Sequence, residues 1–219
     1  MNIQYYGLSC FKITTKPTGR GGSDVTIIID PFDASVGLRP PKGTADIVLS
    51  SSMNPDHYNK TLHENAELSI TTPGEYAAKG VTIIALDSFA DKSEGAERGR
   101  NTIYLITSEE IALCHMGDLG HELDGDTIDA LGEVGILFVG IGHKESLGGK
   151  KAAELARSLE PNIVVPMHYN QKDVKLELGS TNDFCKENGN CPQDIIPKLT
   201  LKAKDLEGKS GEVVLMETN

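Results

Sequence analysis

An aspartate and a histidine stand side by side at Asp56-His57, closing the polar segment Ser50-Ser51-Ser52-Met53-Asn54-Pro55 that follows the apolar run Ile47-Val48-Leu49. So short an apolar run reads as a buried strand, and the loop leaving it can approach an ion without disturbing the sheet ladder. A carboxylate and an imidazole in such a loop suit a divalent transition metal: Zn²⁺, Mn²⁺ or Fe²⁺. Other histidines fall in comparable loops. His115 and His121 flank Gly117-Asp118, and His143 precedes Lys144 after another apolar run. An imidazole beside a metal acts as general base or orients a ligand. His143 and Lys144 either offer positive charge to an anionic substrate group or belong to an ordinary solvated loop. His63, in Thr61-Leu62-His63-Glu64-Asn65, reads as a surface residue.

The elements that must position these groups are strands first and helices later. Apolar alternation or short apolar runs predict strands over Asn2–Tyr6, Cys10–Thr15, Val25–Asp30, Ile47–Ser50, Leu68–Thr71 and Val81–Ala85. The glycines of residues 17–22 predict a flexible hairpin loop. Asn101–Thr107 and Ile111–His115 predict a hairpin around Ser108-Glu109-Glu110. Helical spacing follows at Thr127–Val134 and at Lys150–Leu159, where Ala152, Ala153, Leu155, Ala156 and Leu159 form an apolar stripe. Apolar strands at Gly135–Gly142 and Asn162–Pro166 follow these helices in turn. Ser180-Thr181-Asn182-Asp183 offers an N-cap for a short helix ending near Gly189, and strands at Lys198–Ala203 and Glu212–Met216 complete the pattern. Strands, then alternating helix and strand, are what an α/β fold of the αββα sandwich type needs, with helices outside two packed sheets.

Six segments resemble motifs of the metallo-β-lactamase superfamily, in its small lactonase-like branch of zinc-dependent hydrolases. Ser52 to His57 is similar to the H-x-H-x-D-H signature, with Ser52 and Asn54 at the leading histidines and Asp56 and His57 at the rest. Tyr6-Gly7-Leu8-Ser9-Cys10-Phe11 resembles the G-H-x-C-F strand, Asp30-Pro31-Phe32 the D-P-F turn, and Thr72-Pro73-Gly74-Glu75-Tyr76 the T-P-G-E-Y segment. His115-Met116-Gly117-Asp118-Leu119-Gly120-His121 is similar to H-x-G-D-L-G-H, and Val165-Pro166-Met167-His168-Tyr169 to the final P-M-H-Y. The resemblance implies a metallo-β-lactamase-type αββα sandwich. It also implies a degenerate first metal site, since Leu8, Ser52, Asn54 and Ala90 stand where the family places histidines. The second site, built in the family from Asp56, His57, the bridging Asp118 and His168, is complete.

The resemblance therefore implies one divalent metal, zinc before manganese or iron, with Asp56 and His115 as the candidate catalytic residues. Three neutral histidines leave a zinc ion its full charge and bring its water to a pKa of about 7, whereas two carboxylates push that value back toward about 9. The expectation is a hydrolase-like protein with weak or altered activity on a small ester, lactone or phosphoester. The alternative is a non-catalytic member that binds a metal or small ligand without turnover.

The 219 residues suffice for one core, and no composition shift or linker divides 1–219, so a single domain is expected. A net charge of −11 disfavours a nucleic-acid partner, which needs clustered Lys and Arg. Met1-Asn2-Ile3-Gln4-Tyr5-Tyr6 carries no basic region followed by an apolar one, and no apolar run nears the roughly 18 residues of a membrane span. A soluble cytoplasmic protein with a small-molecule partner is expected, and oligomers are compatible with the sequence. Cys10, Cys114, Cys185 and Cys191 show no C-x-x-C spacing and read as free thiols of a reducing compartment.

Overall fold

Alternating apolar and polar side chains build the first sheet of the computed structural model, which describes residues 1–17, 23–189 and 191–219. β1 (Asn2–Gly7) buries every second residue, and it pairs antiparallel with β2 (Cys10–Thr15), which pairs antiparallel with β3 (Val25–Ile29). β4 (Ile47–Leu49) and β5 (Leu68–Ile70) extend this sheet in parallel, so the chain leaves β3 and β4 at the same edge of the molecule. From residue 18 on, the hairpin loop expected at 17–22 lies outside the described residues.

The second sheet begins as an antiparallel meander of β6 (Gly74–Ala78), β7 (Val81–Phe89), β8 (Arg100–Ser108) and β9 (Ile111–His115). It continues in parallel through β10 (Ile136–Gly140) and β11 (Ile163–Met167). These two strands are apolar and buried almost throughout because both faces of the sheet are covered. One face meets the first sheet: Ile3, Phe11, Ile27 and Leu49 share a core with Tyr104, Leu113, Phe138 and Val165. On the other, Ala152, Ala153 and Ala156 of α3 (Gly148–Leu159) pack with Leu137, Val139 and Phe184. α2 (Gly125–Leu131) precedes β10 and starts at Asp124, whose side chain accepts the Thr127 N–H. The outer face of the first sheet is covered more thinly, by α1 (Lys60–Glu64) and by loops carrying Phe32 and Val36. This is the expected αββα arrangement, and among the described residues no helix is long and apolar enough to cross a membrane.

Several local expectations need correction. Lys198–Ala203 is a strand only at β13 (Leu199–Thr200), which joins the edge of the first sheet after a two-residue β12 (Ile195–Ile196), and then coils into a 3₁₀ turn, Ala203–Leu206. Glu212–Met216 splits at Val214 into β14 (Glu212–Val213), paired with β11, and β15 (Leu215–Met216), paired with β12. The free-thiol reading holds for the buried Cys10 and Cys114 but not for the other two. Cys185 on α4 (Asn182–Glu187) is bonded to Cys191, because the chain turns back after the helix and brings their Cα atoms to 5.0 Å. His63 is buried, not superficial: α1 lays it on the ends of β4 and β5, where its ring nitrogens lie 2.8 Å from Ser50 Oγ and 2.7 Å from Ser69 Oγ.

Candidate metal centre

Because β3 and β4 run in parallel, Asp30, the residue after β3, comes to rest beneath the loop that leaves β4. Asp30 adopts a left-handed conformation (φ 47°) that turns its carboxylate inward. There it accepts the Ser51 N–H at 2.6 Å and the Ser51 hydroxyl at 2.7 Å, which fixes the start of the loop. Its Oδ2 also receives the Nδ1–H of His57 at 2.7 Å. That bond selects the tautomer with a bare Nε2, the form in which histidine ligates metals.

His168, the residue after β11, is likewise left-handed (φ 53°), with its N–H bound to the Leu8 carbonyl and its Nδ1 lying 2.8 Å from Ser9 Oγ. The rings of His57 and His168 stack with centroids 5.1 Å apart. Asp56 Oδ2 lies 3.4 Å from His57 Nε2 and 3.6 Å from His168 Nε2. Among the described residues, those two Nε2 atoms are the buried side-chain nitrogen and oxygen atoms that lack a hydrogen-bond partner. A buried polar group left unpaired costs about 1–3 kcal/mol, so the pair marks a place shaped for a ligand. The three side chains offer ligand atoms that all lie within 4.8 Å of one another. Two imidazole nitrogens and one carboxylate oxygen are the donor set of a divalent transition metal, and they fit a single such ion.

Electrostatics agree with the geometry. Burial alone would raise the Asp56 carboxyl, but the His57 and His168 imidazoles outweigh it and hold it well below the usual carboxylate range. Burial likewise disfavours a charged His57, yet Asp56 and Asp30 on either side raise it well above an ordinary histidine, so the two carboxylates favour a positive charge at Nε2, which a metal ion would supply in place of a proton. His168 is pushed down to about 4 by burial and by its neighbour His57, so it stays neutral.

Of the other residues singled out in the sequence, Asp118 follows β9 but stands outside this group. Its N–H is held by Asn101 Oδ1 at 2.8 Å, and its carboxylate is paired with Arg98. His115 is fully buried. Its Nε2–H donates to the Ser9 carbonyl at 2.9 Å and its Nδ1 accepts the Gly117 N–H at 3.2 Å, so both ring nitrogens are engaged in holding backbone. His121 is similarly used, accepting the Phe89 N–H and donating to the Glu122 carbonyl. His143 does reach the rim, its half-buried ring standing edge-on to His168 at 6.1 Å. Ser52 is buried and accepts the Asn54 N–H, Asn54 is exposed, and Ala90 is buried with its carbonyl facing Arg98.

Asp30, Ser9 and Arg98 escaped the sequence reading as site residues. The available signals were that Asp30 ends an apolar strand next to proline and that Asp30-Pro31-Phe32 resembles the D-P-F turn.

Comparisons with known proteins give the family and the fold. A family model described as "Beta-lactamase superfamily domain" matches residues 2–168. A metal-dependent hydrolase from Methanosphaera stadtmanae is 29% identical over 84% of this chain and 92% of its own length. One from Listeria monocytogenes is 26% identical over 78% of this chain and 86% of its own. Among solved structures, a candidate Zn-dependent hydrolase of the metallo-β-lactamase superfamily from Thermotoga maritima shares 30% identity and a TM-score of 0.72. That alignment covers 99% of this chain and 98% of the other. An isothiocyanate hydrolase from Delia radicum gut bacteria shares the fold at 11% identity, with a TM-score of 0.64 over 93% of this chain and all of its own.

Proposed function

Because the chain belongs to the β-lactamase superfamily domain family, we propose that it is a metal-dependent hydrolase of a small ester, lactone or phosphoester, working with one divalent ion. The two unpartnered Nε2 atoms of His57 and His168, facing the Asp56 carboxylate, carry this reading. Zinc suits two imidazoles and a carboxylate best, and manganese or iron are the alternatives. Bound there, the ion would supply Lewis-acid activation of water and of the scissile group.

The chain's own residues do the rest. Asp30 and Ser9 lock the two imidazoles from behind, so their bare nitrogens point to one place. Asp56 completes the set, while His115 positions the loop of Asp118 through Gly117 rather than moving protons. His143 at the rim is the imidazole best placed to meet a substrate.

A second reading, a member that binds a metal or small ligand without turnover, draws support from the engagement of both ring nitrogens in His115 and in His121. Metal analysis of untagged protein, followed by a panel of lactone, ester and phosphodiester substrates with the native chain and His143→Ala, separates the two. One ion with turnover that falls in the variant supports the hydrolase, and one ion without turnover on any substrate supports the binder. A chain that takes up no ion defeats the hydrolase and leaves the second reading only as a binder of a small ligand.

A further inference from the structure

Beside the three ligands, with Asp118 near enough for its charge to act on the His168 imidazole, lies a second charged arrangement that engages the carboxylate the resemblance implied as a ligand. Arg98 points its guanidinium inward, 13% exposed, onto the Asp118 carboxylate, itself 3% exposed. Nη1 donates to the Ala90 carbonyl at 3.1 Å, and Nε lies 3.8 Å from the outer carboxylate of Glu145.

The loop that delivers Arg98 is built around one buried side chain. Asp91 accepts the N–H groups of Ser93, Gly95, Glu97 and Arg98 at 2.8, 2.9, 3.1 and 2.7 Å. A carboxylate that gathers four backbone donors holds its loop in one conformation, so the guanidinium arrives preorganised. Gly120 lets the Asp118 turn lie against this loop, since a Cβ there would come within 2.2 Å of Ala90 C and Asp91 N.

We propose that Arg98 is a built-in cation that keeps Asp118 off the metal and so limits the centre to one ion. This rests on the single-ion reading above and deepens it. Asp118 is a carboxylate at the edge of a metal centre, the kind of group that a divalent ion would recruit. Arginine keeps its charge at any working pH, and its planar fork satisfies a carboxylate as an ion would. A second divalent ion beside Asp118 would be repelled by the fixed positive charge and would find its carboxylate ligand already taken. The consequence for the first ion is favourable. With Asp118 neutralised by Arg98, only Asp56 cancels ligand-side charge, so more of the ion's positive charge remains to acidify water than two bound carboxylates would leave.

The test compares metal binding in the native chain, Arg98→Met, Arg98→Lys, Asp118→Asn and the Arg98→Met/Asp118→Asn pair. Zn²⁺ and Mn²⁺ equivalents are counted after equilibrium dialysis, and affinity is measured against a chromophoric chelator. Arg98→Met is expected to gain a second equivalent or to bind the first at least tenfold more tightly, because Asp118 is freed. The gain should vanish in the double variant, and Arg98→Lys should behave as the native chain. Asp118→Asn alone should leave stoichiometry and affinity within about threefold. A loss of tenfold or more in Asp118→Asn, or an Arg98→Met chain that binds as the native one does, overturns the proposal. If Arg98→Met folds poorly without metal, the thermal shift on adding Zn²⁺ decides: a larger shift than in the native chain supports it, and an equal one overturns it. Failure of the single-ion reading shows separately, as a native chain with no ion. The role of Arg98 then stands or falls on whether Arg98→Met acquires one.

Discussion

Nδ1 of His57 donates to Oδ2 of Asp30 across 2.7 Å, and both side chains are wholly buried. The two residues are 27 positions apart in the chain and meet because β3 and β4 are parallel neighbours with aligned ends. A carboxylate behind a ligating histidine fixes the ring and raises its basicity. Asp30→Asn should therefore weaken Zn²⁺ binding about 10- to 100-fold in a chelator competition, with the fold retained by circular dichroism. An affinity within twofold of the native chain would show that the loop, and not the carboxylate, orients His57.

Gly117 determines how closely the Asp118 turn approaches the β4 loop. Its φ is +60°, and a Cβ there would come within 2.3 Å of Asn101 Oδ1 and 2.5 Å of Ser51 Cβ. Gly117→Ala should cost about 1–3 kcal/mol in denaturant unfolding, from left-handed strain plus the clash. Gly208→Ala, also at positive φ but with nothing within 4 Å of the added Cβ, measures the strain alone and should cost less. Equal losses in the two would remove crowding from the explanation.

His63 should make the protein sensitive to mild acid. Burial lowers it to about 4 from an ordinary 6.5, so between those values the unfolded chain binds the proton more readily than the folded one. The associated stability is complete above about pH 6.5 and is lost as pH falls toward 4, amounting to about 1–3 kcal/mol. Chemical unfolding of His63→Asn at several pH values should show a flatter slope than the native chain across this window. Parallel slopes would mean that His63 titrates normally in the fold.

Thiol counting checks the Cys185–Cys191 bond. In denaturant without reductant, two of the four cysteines, Cys10 and Cys114, should react with a thiol reagent, and all four should react after reduction. Cysteines six apart close a small loop, so reduction should lower stability by only about 2 kcal/mol. Four reactive thiols before reduction would exclude the bond.

The architecture was legible wherever burial imposes a simple pattern. β10 and β11 are unbroken apolar runs because both faces of the sheet are covered, and α3 shows its stripe because one side alone is packed. β6 was missed because it lies at the edge of its sheet with largely exposed residues, so nothing forces its pattern to alternate. α1, at five residues, is too short for any period to emerge. In the site, adjacency made Asp56-His57 readable, and resemblance added His168. Asp30, Ser9 and Arg98 act through partners 27, 159 and 20 positions away, and such pairings exist only once the sheets have assembled.

Asp56 and His57 hang from a strand of the first sheet, His168 from a strand of the second. An ion shared among them would bolt the two layers together at one end of the sandwich, as a hasp closes a lid. Its removal would then be felt first as fraying: amide hydrogens around 50–57 and 168–170 should exchange faster with solvent in chelator-treated protein. Those in the middle of β8, inside the shared core, should keep their protection until the whole chain unfolds.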